Sequence, residues 1–144
     1  MNRLIAYSVA VLAVTIPAAL LARTLIETEE DDLERIVFGI EQERTNALLE
    51  AAAFDCGGLV ISTGSTSRRF DGAGLEEARA LLEEATGLDS ADHIRLRQRQ
   101  VTVNDARATA VLNVELDGGS YIALRVSMMR YEGEWLVEHI RVMG

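Results

Sequence analysis

The stretch RYEGEWLVEHIRVMG, Arg130–Gly144, decides how the chain is read. Glu132-Gly133 interrupts two runs in which apolar and polar residues alternate, the pattern of two strands joined by a tight connection. The same pattern continues upstream. HIRLRQRQVTV, ARATAVLNVEL, YIALRVSMMRY and EWLVEHIRVM follow one another, separated by Asn104-Asp105, Asp117-Gly118-Gly119 and Glu132-Gly133. Four hairpin-linked strands from Asp92 onward predict an antiparallel meander.

Ahead of the strands the apolar period changes from two to about 3.6. Leu33, Ile36, Val37, Ile40, Ala47, Leu48 and Ala51 follow helical spacing and predict one long helix over Thr28–Phe54. Asp31 and Asp32 suit the positive end of its dipole, and Asp55-Cys56-Gly57-Gly58 supplies a stop. Leu59–Thr63 (LVIST) predicts a short strand and Gly64–Gly74 a loop. Leu75–Ala85 predicts a second helix, with Glu76 and Glu77 in its first turn. Helices first and sheet afterwards make the fold class α+β rather than βαβ winding.

The amino-terminal segment reads as an address. Leu4–Ala22 is an uncharged, mostly apolar run between Arg3 and Arg23. Its 19 residues make about 28 Å of helix, close to the hydrocarbon thickness of a bilayer. Arg3 on one side and the acidic ETEEDD run, Glu27–Asp32, on the other orient the carboxyl-terminal part outward. The expectation is a transmembrane anchor over 1–24 and one domain over 25–144, facing out of the cytoplasm of a bacterial cell. The run is long for a cleaved signal, and no small-x-small site follows it; cleavage there would leave a secreted domain instead.

Composition narrows the function. The chain has 144 residues, a formal charge of −9 and 49% apolar residues. That much negative charge argues against nucleic acid as a partner. Every basic residue is arginine. A single cysteine, Cys56, excludes an internal disulfide, and two scattered histidines, His93 and His139, give no metal-ligand spacing, so no metal or cofactor is expected.

Helix, short strand, helix and a long meander ending in YEGEWLVEHIRV resemble the nuclear transport factor 2-like superfamily, which includes the SnoaL-like proteins and ketosteroid isomerase. The resemblance covers about residues 28–144. It implies a curved sheet wrapped over helices as a cone with a pocket. The isomerase branch relies on a tyrosine and two acids inside that cone, and no such trio can be matched here. Members include enzymes, carriers and assembly modules, so the fold leaves function open.

Cross-strand pairing then assigns faces. With two-residue turns at Gly118-Gly119 and Glu132-Gly133, Leu112 faces Arg125 and Ser127 faces Glu138. One face then carries Ala108, Ala110, Leu112, Val114, Tyr121, Ala123, Arg125, Ser127, Leu136, Glu138 and Ile140, and its alanines suit a helix lying close. Arg125, Glu138, Tyr121 and Ser127 are therefore the expected ligand-binding residues, Arg125 holding an anionic group and Glu138 orienting it. The other face carries Val111, Ile122, Leu124, Val126, Met128, Trp135, Val137 and His139. So much apolar surface predicts a homodimer through the outer sheet face. In the first long strand the apolar phase flips, which predicts a β-bulge between Arg97 and Gln100. The first functional reading is a non-enzymatic, membrane-tethered domain that binds a protein or a small hydrophobic ligand. The second is an isomerase, dehydratase or cyclase working with Glu138.

Overall fold

The computed structural model describes residues 32–143. The chain divides into two units at Leu33, and the second, from Glu34 onward, is compact. The expected anchor over 1–24 and the helix start at Thr28 lie outside the described residues. Among the described residues no helix is long and apolar enough to cross a membrane.

The second unit is α+β. Helix α1 occupies residues 32–43 and α2 Thr45–Glu50. Strands β1 (Leu59–Thr63) and β2 (Thr66–Phe70) form a hairpin, and α3 spans Leu75–Thr86. Then come β3 (Ile94–Asn104), β4 (Arg107–Leu116), β5 (Ser120–Tyr131) and β6 (Glu134–Met143). All six strands form one curved, mixed sheet in the order β2-β1-β6-β5-β4-β3. The four carboxyl-terminal strands are antiparallel neighbours, and β1 joins β6 in parallel.

The predicted helix Thr28–Phe54 is broken at Arg44. Arg44 has φ 61°, a conformation that costs a side-chain-bearing residue roughly 1–3 kcal/mol. Tertiary bonds compensate for it. Its guanidinium donates to the carbonyls of Leu88 and Asp89, each at 2.9 Å, and to that of Ala91. Asp89 completes the junction by accepting from Thr45 Oγ1 at 2.6 Å and from Thr45 N at 3.2 Å. One cation thus ties the kink between α1 and α2 to the loop after α3. After α2 the chain is no longer helical. Residues 51–53 instead lie along β6, with Ala53 N donating to Val137 O at 2.8 Å and Val137 N to Ala51 O at 2.7 Å.

The expected loop Gly64–Gly74 contains β2. Thr63 pairs with Thr66, so Gly64-Ser65 is a tight turn, and Gly64 has φ 60°. At the far end of this hairpin a Cβ on Gly58 would stand 2.8 Å from Phe70 O, so only glycine permits the approach. Helix α3 ends on Gly87 in the left-handed conformation, whose N–H bonds Glu83 O.

The core lies on one face of the sheet. Val37, Ile40, Leu48, Ala78, Leu82 and Leu88 from the helical layer are buried. So are Leu59, Ile61, Ala108, Ala110, Leu112, Val114, Leu124, Val126, Met128, Trp135, Val137 and Ile140 from the sheet. A fully buried side chain of this size contributes about 1.5–3 kcal/mol.

Candidate functional site

The register corrects the expected faces. Asp117-Gly118-Gly119 is a three-residue connection, because Leu116 pairs with Ser120. The expected two-residue turn put β5 one residue out of phase, and a shift of one turns every side chain to the other face. Leu112 therefore stands opposite Leu124, and Arg125 opposite Val111. The turn at Glu132-Gly133 does have two residues, with both φ angles positive, and Met129 pairs with Leu136. A bulge between Ser127 and Met128 then shifts the pairing, so Ser127 faces His139 rather than Glu138. In β3 the register shifts between Leu96 and Gln98, leaving Arg97 as the extra residue.

Two consequences follow. Ile122, Leu124, Val126, Met128, Trp135 and Val137, expected on the outside, lie on the helix-covered side, so the homodimer expectation loses the apolar surface on which it rested. Tyr121, Arg125, Ser127 and Glu138, expected inside, lie on the outer face. Tyr121 is 58% exposed. From Ala108 to Leu116, Ser120 to Met128 and Trp135 to Val142, the helix-covered side carries no ionisable side chain.

The polar chemistry gathers on the outer face instead. An open groove of about 450 Å³ runs across β1, β6, β5 and β4, lined by Cys56, Gly58, Val60, Arg69, Arg107, Ser127, Met129, Glu138 and His139. It brings together two of the four predicted residues, Ser127 and Glu138; Tyr121 and Arg125 lie outside it, further along β5. The Arg107 guanidinium bonds the Glu138 carboxylate. Next to this pair, Ser62 Oγ lies 2.7 Å from His139 Nε2 and 2.7 Å from Ser67 Oγ. Ser62 is 1% exposed, so this outer-face hydroxyl finds both its partners within the protein. Burial pushes the His139 imidazole below its ordinary pKa of 6.5; Arg141 acts in the same direction, and Glu138 opposes them. At neutral pH His139 is thus the uncharged partner of a serine.

The sequence marked the strand LVIST, Leu59–Thr63, but its three apolar residues run together and do not single out Ser62. Nothing in the sequence marked Ser67, placed by the unrecognised β2, or Arg107, whose meeting with Glu138 depends on the three-residue connection after Leu116. Among the described residues no group of three His, Cys, Asp or Glu side chains is placed to hold a metal ion.

Charge is distributed unevenly. Arg69, Arg95, Arg97, Arg107, Arg125 and Arg141 all fall on the outer face, against Glu115, Glu134 and Glu138. Arg97 is paired with Glu115, which holds its pKa above the ordinary value. The bulge turns Arg99 the other way, where it sits 4.1 Å from the centroid of Phe38 and 3.2 Å from Glu34. The three arginines of β3, Arg95, Arg97 and Arg99, are therefore divided between two faces. A second hollow, of about 750 Å³, lies among Arg97, Gln100, Val111, Asn113 and Ala123.

No family model matches the chain, and no curated protein is significantly similar to it. Solved structures are. A DUF4783 family protein from Bacteroides ovatus aligns at TM-score 0.56 and 10% identity, over 75% of this chain and 90% of that one. A candidate ketosteroid isomerase from Parabacteroides distasonis aligns at 0.55 and 15%, over 76% and 82%. A nuclear transport factor 2-like protein of unknown function from Shewanella oneidensis aligns at 0.56 and 11%, over 78% and 97%. At such identities likeness extends to architecture alone: the chain has the nuclear transport factor 2-like fold.

Proposed function

We propose that this chain is a non-enzymatic ligand-binding or protein-interaction domain, held on the outer side of the bacterial cytoplasmic membrane by its amino-terminal segment. The observation that carries the reading is the division of chemistry between the two sides of the sheet. Acid–base catalysis inside the cone needs an ionisable group among apolar neighbours, where its pKa can be tuned. Among the described residues the helix-covered side of β4, β5 and β6 offers only Arg130, exposed at the end of β5 against Trp135, and Glu138 stands on the opposite side, bonded to Arg107. The polar groups, including Arg125, Ser127, Glu138 and Tyr121, face outward on open surface, an arrangement suited to contact with a partner. The tether rests on the apolar run Leu4–Ala22 and the charges flanking it.

Cys56, partly exposed and the chain's one thiol, provides the test. A membrane-impermeant maleimide added to intact bacteria whose outer envelope is permeable to it should label Cys56, and the labelled chain should sediment with membranes. Labelling that appears only after lysis refutes the outward orientation; labelled chain in the soluble fraction refutes the anchor.

A further inference from the structure

We propose that the outer face of the sheet is the docking surface for an acidic polypeptide segment of a partner protein. This rests on the interaction-domain reading above and names the partner's chemistry. The chain as a whole carries −9, yet this one face carries six arginines against three glutamates. Arg97 and Arg107 are matched by carboxylates of the protein itself. Arg95, Arg125 and Arg141 have no ion pair among the described residues, and Arg125 is exposed at the centre of the face. A guanidinium presents a planar fork that takes a carboxylate through two bonds.

Distance decides whether the acids elsewhere in the molecule cancel this field. Those of α3 lie across the helical layer, about 10 Å deep. The screening length at physiological salt is about 8 Å. Glu41, Asp92 and Asp117 share a hollow with Arg95 and Arg97 at one end of the sheet, so it is around Arg125 and Arg141, paired further along the strands, that an approaching carboxylate meets mainly the charges of the face itself. The apolar contribution comes from Val111 and Tyr121, which are 38% and 58% exposed on neighbouring strands.

Dimensions suit an extended segment. Crossing from β3 to β1 spans four strand spacings, about 19 Å, or about six residues of extended chain. The hollow beside Val111 lies at one end of this track and the Arg107–Glu138 groove at the other. The surface is the outer side of a curved sheet, which an extended peptide can follow and a flat bilayer meets over a small area. That favours a peptide over an anionic membrane.

The experiment uses the full chain in neutral detergent and a fluorescent hexapeptide, Glu-Tyr-Glu-Glu-Tyr-Glu, with its all-glutamine counterpart as control. Fluorescence anisotropy should show binding of the acidic peptide that weakens as salt rises. The double variant Arg125→Gln/Arg141→Gln should weaken it about tenfold, whereas Arg125→Lys/Arg141→Lys should retain most of it, and Arg79→Gln on the helical side should leave it unchanged. Equal binding of the glutamine peptide, an unaffected glutamine double variant, or binding to phosphatidylglycerol vesicles with none to the peptide would each overturn the proposal. Cys56 labelling reports the membrane topology separately, so a failure of one reading is not mistaken for a failure of the other.

Discussion

Leu124 lies directly across from Leu112 in the antiparallel pairing of β4 and β5, and both are buried, at 0% and 1% exposure. Arg125, one residue on, points to the opposite side and is exposed. Truncation separates the two faces. Leu124→Ala should lower unfolding stability by about 2–5 kcal/mol, through lost burial and a residual cavity. Arg125→Ala should change it by less than about 0.5 kcal/mol. Urea denaturation of both variants checks the register; the reverse order of effects would mean that β5 presents its other face to the helices.

The connection at Asp117-Gly118-Gly119 holds that register. Asp117 Oδ1 accepts from the backbone N–H groups of Asp92 and His93, both at 2.9 Å, and its own N–H donates to His93 O at 2.8 Å. Deleting Gly119 shortens the loop to Asp117-Gly118 between the same pair, Leu116 and Ser120, so β5 keeps the phase that buries Leu124, Val126 and Met128. Thermal melting of this variant should remain cooperative, and loss of the cooperative transition would mean that the third loop residue is needed to hold the register. Gly118→Ala keeps the loop length and meets only the cost of φ 74°, about 1 kcal/mol.

Arg44 is a single point on which helix geometry and loop closure both depend. Arg44→Ala should destabilise by about 2–4 kcal/mol, because it leaves the carbonyls at Leu88, Asp89 and Ala91 without their donor while keeping a side chain at positive φ. Arg44→Gly relieves the backbone and should lose less. Arg44→Lys, with one ammonium in place of a fork, should recover little. Guanidinium denaturation ranks the three; a glycine variant weaker than the alanine variant would contradict the account of strain.

His139 makes stability depend on pH in a defined direction. Its pKa is depressed in the folded state, so the unfolded chain binds the proton more readily. Its stabilising contribution is therefore complete above the ordinary value of 6.5 and is lost as pH falls from there through the folded-state value. His139→Gln should flatten that part of the profile. Chemical denaturation at closely spaced pH values between about 4 and 8, on both proteins, makes the comparison. A wild-type profile no steeper than the variant's would remove His139 as the cause.

Ser62 supports the same network from below. Ser62→Ala removes the hydroxyl that joins His139 to Ser67 and should cost about 1–2 kcal/mol. Ser67→Ala, at an exposed position on the edge strand, should cost less, since water can replace it at the rim. Equal losses in thermal unfolding would show that the two hydroxyls are not ranked by burial.

The lengths of the long strands, the α+β order and the helical spacing of Leu75–Ala85 are all local properties, and they are legible in the alternation and turn residues of the sequence. The bulge of β3 is legible too, because the apolar phase changes between Leu96 and Val101. β2 is not: Thr66–Phe70 exposes four of its five residues, so no alternation marks it, and it exists because β1 has a free edge to pair with. The break at Arg44 is equally silent, since the carbonyls that hold it lie more than forty residues away.

What the sequence by itself determined is the set of elements, because hydrophobic period and turn chemistry act over a few residues. Only the tertiary structure decided which side of β5 and β6 is wet. One additional turn residue after Leu116 and one bulge beside Ser127 each invert a strand's phase, and neither changes the local pattern enough to be counted in advance. That inversion moved Arg125, Ser127 and Glu138 from an expected interior to an open surface. The physical reason is the two-residue period of a strand: its alternation shows that two faces differ, while the partner strands and the helical layer settle which of them the protein buries.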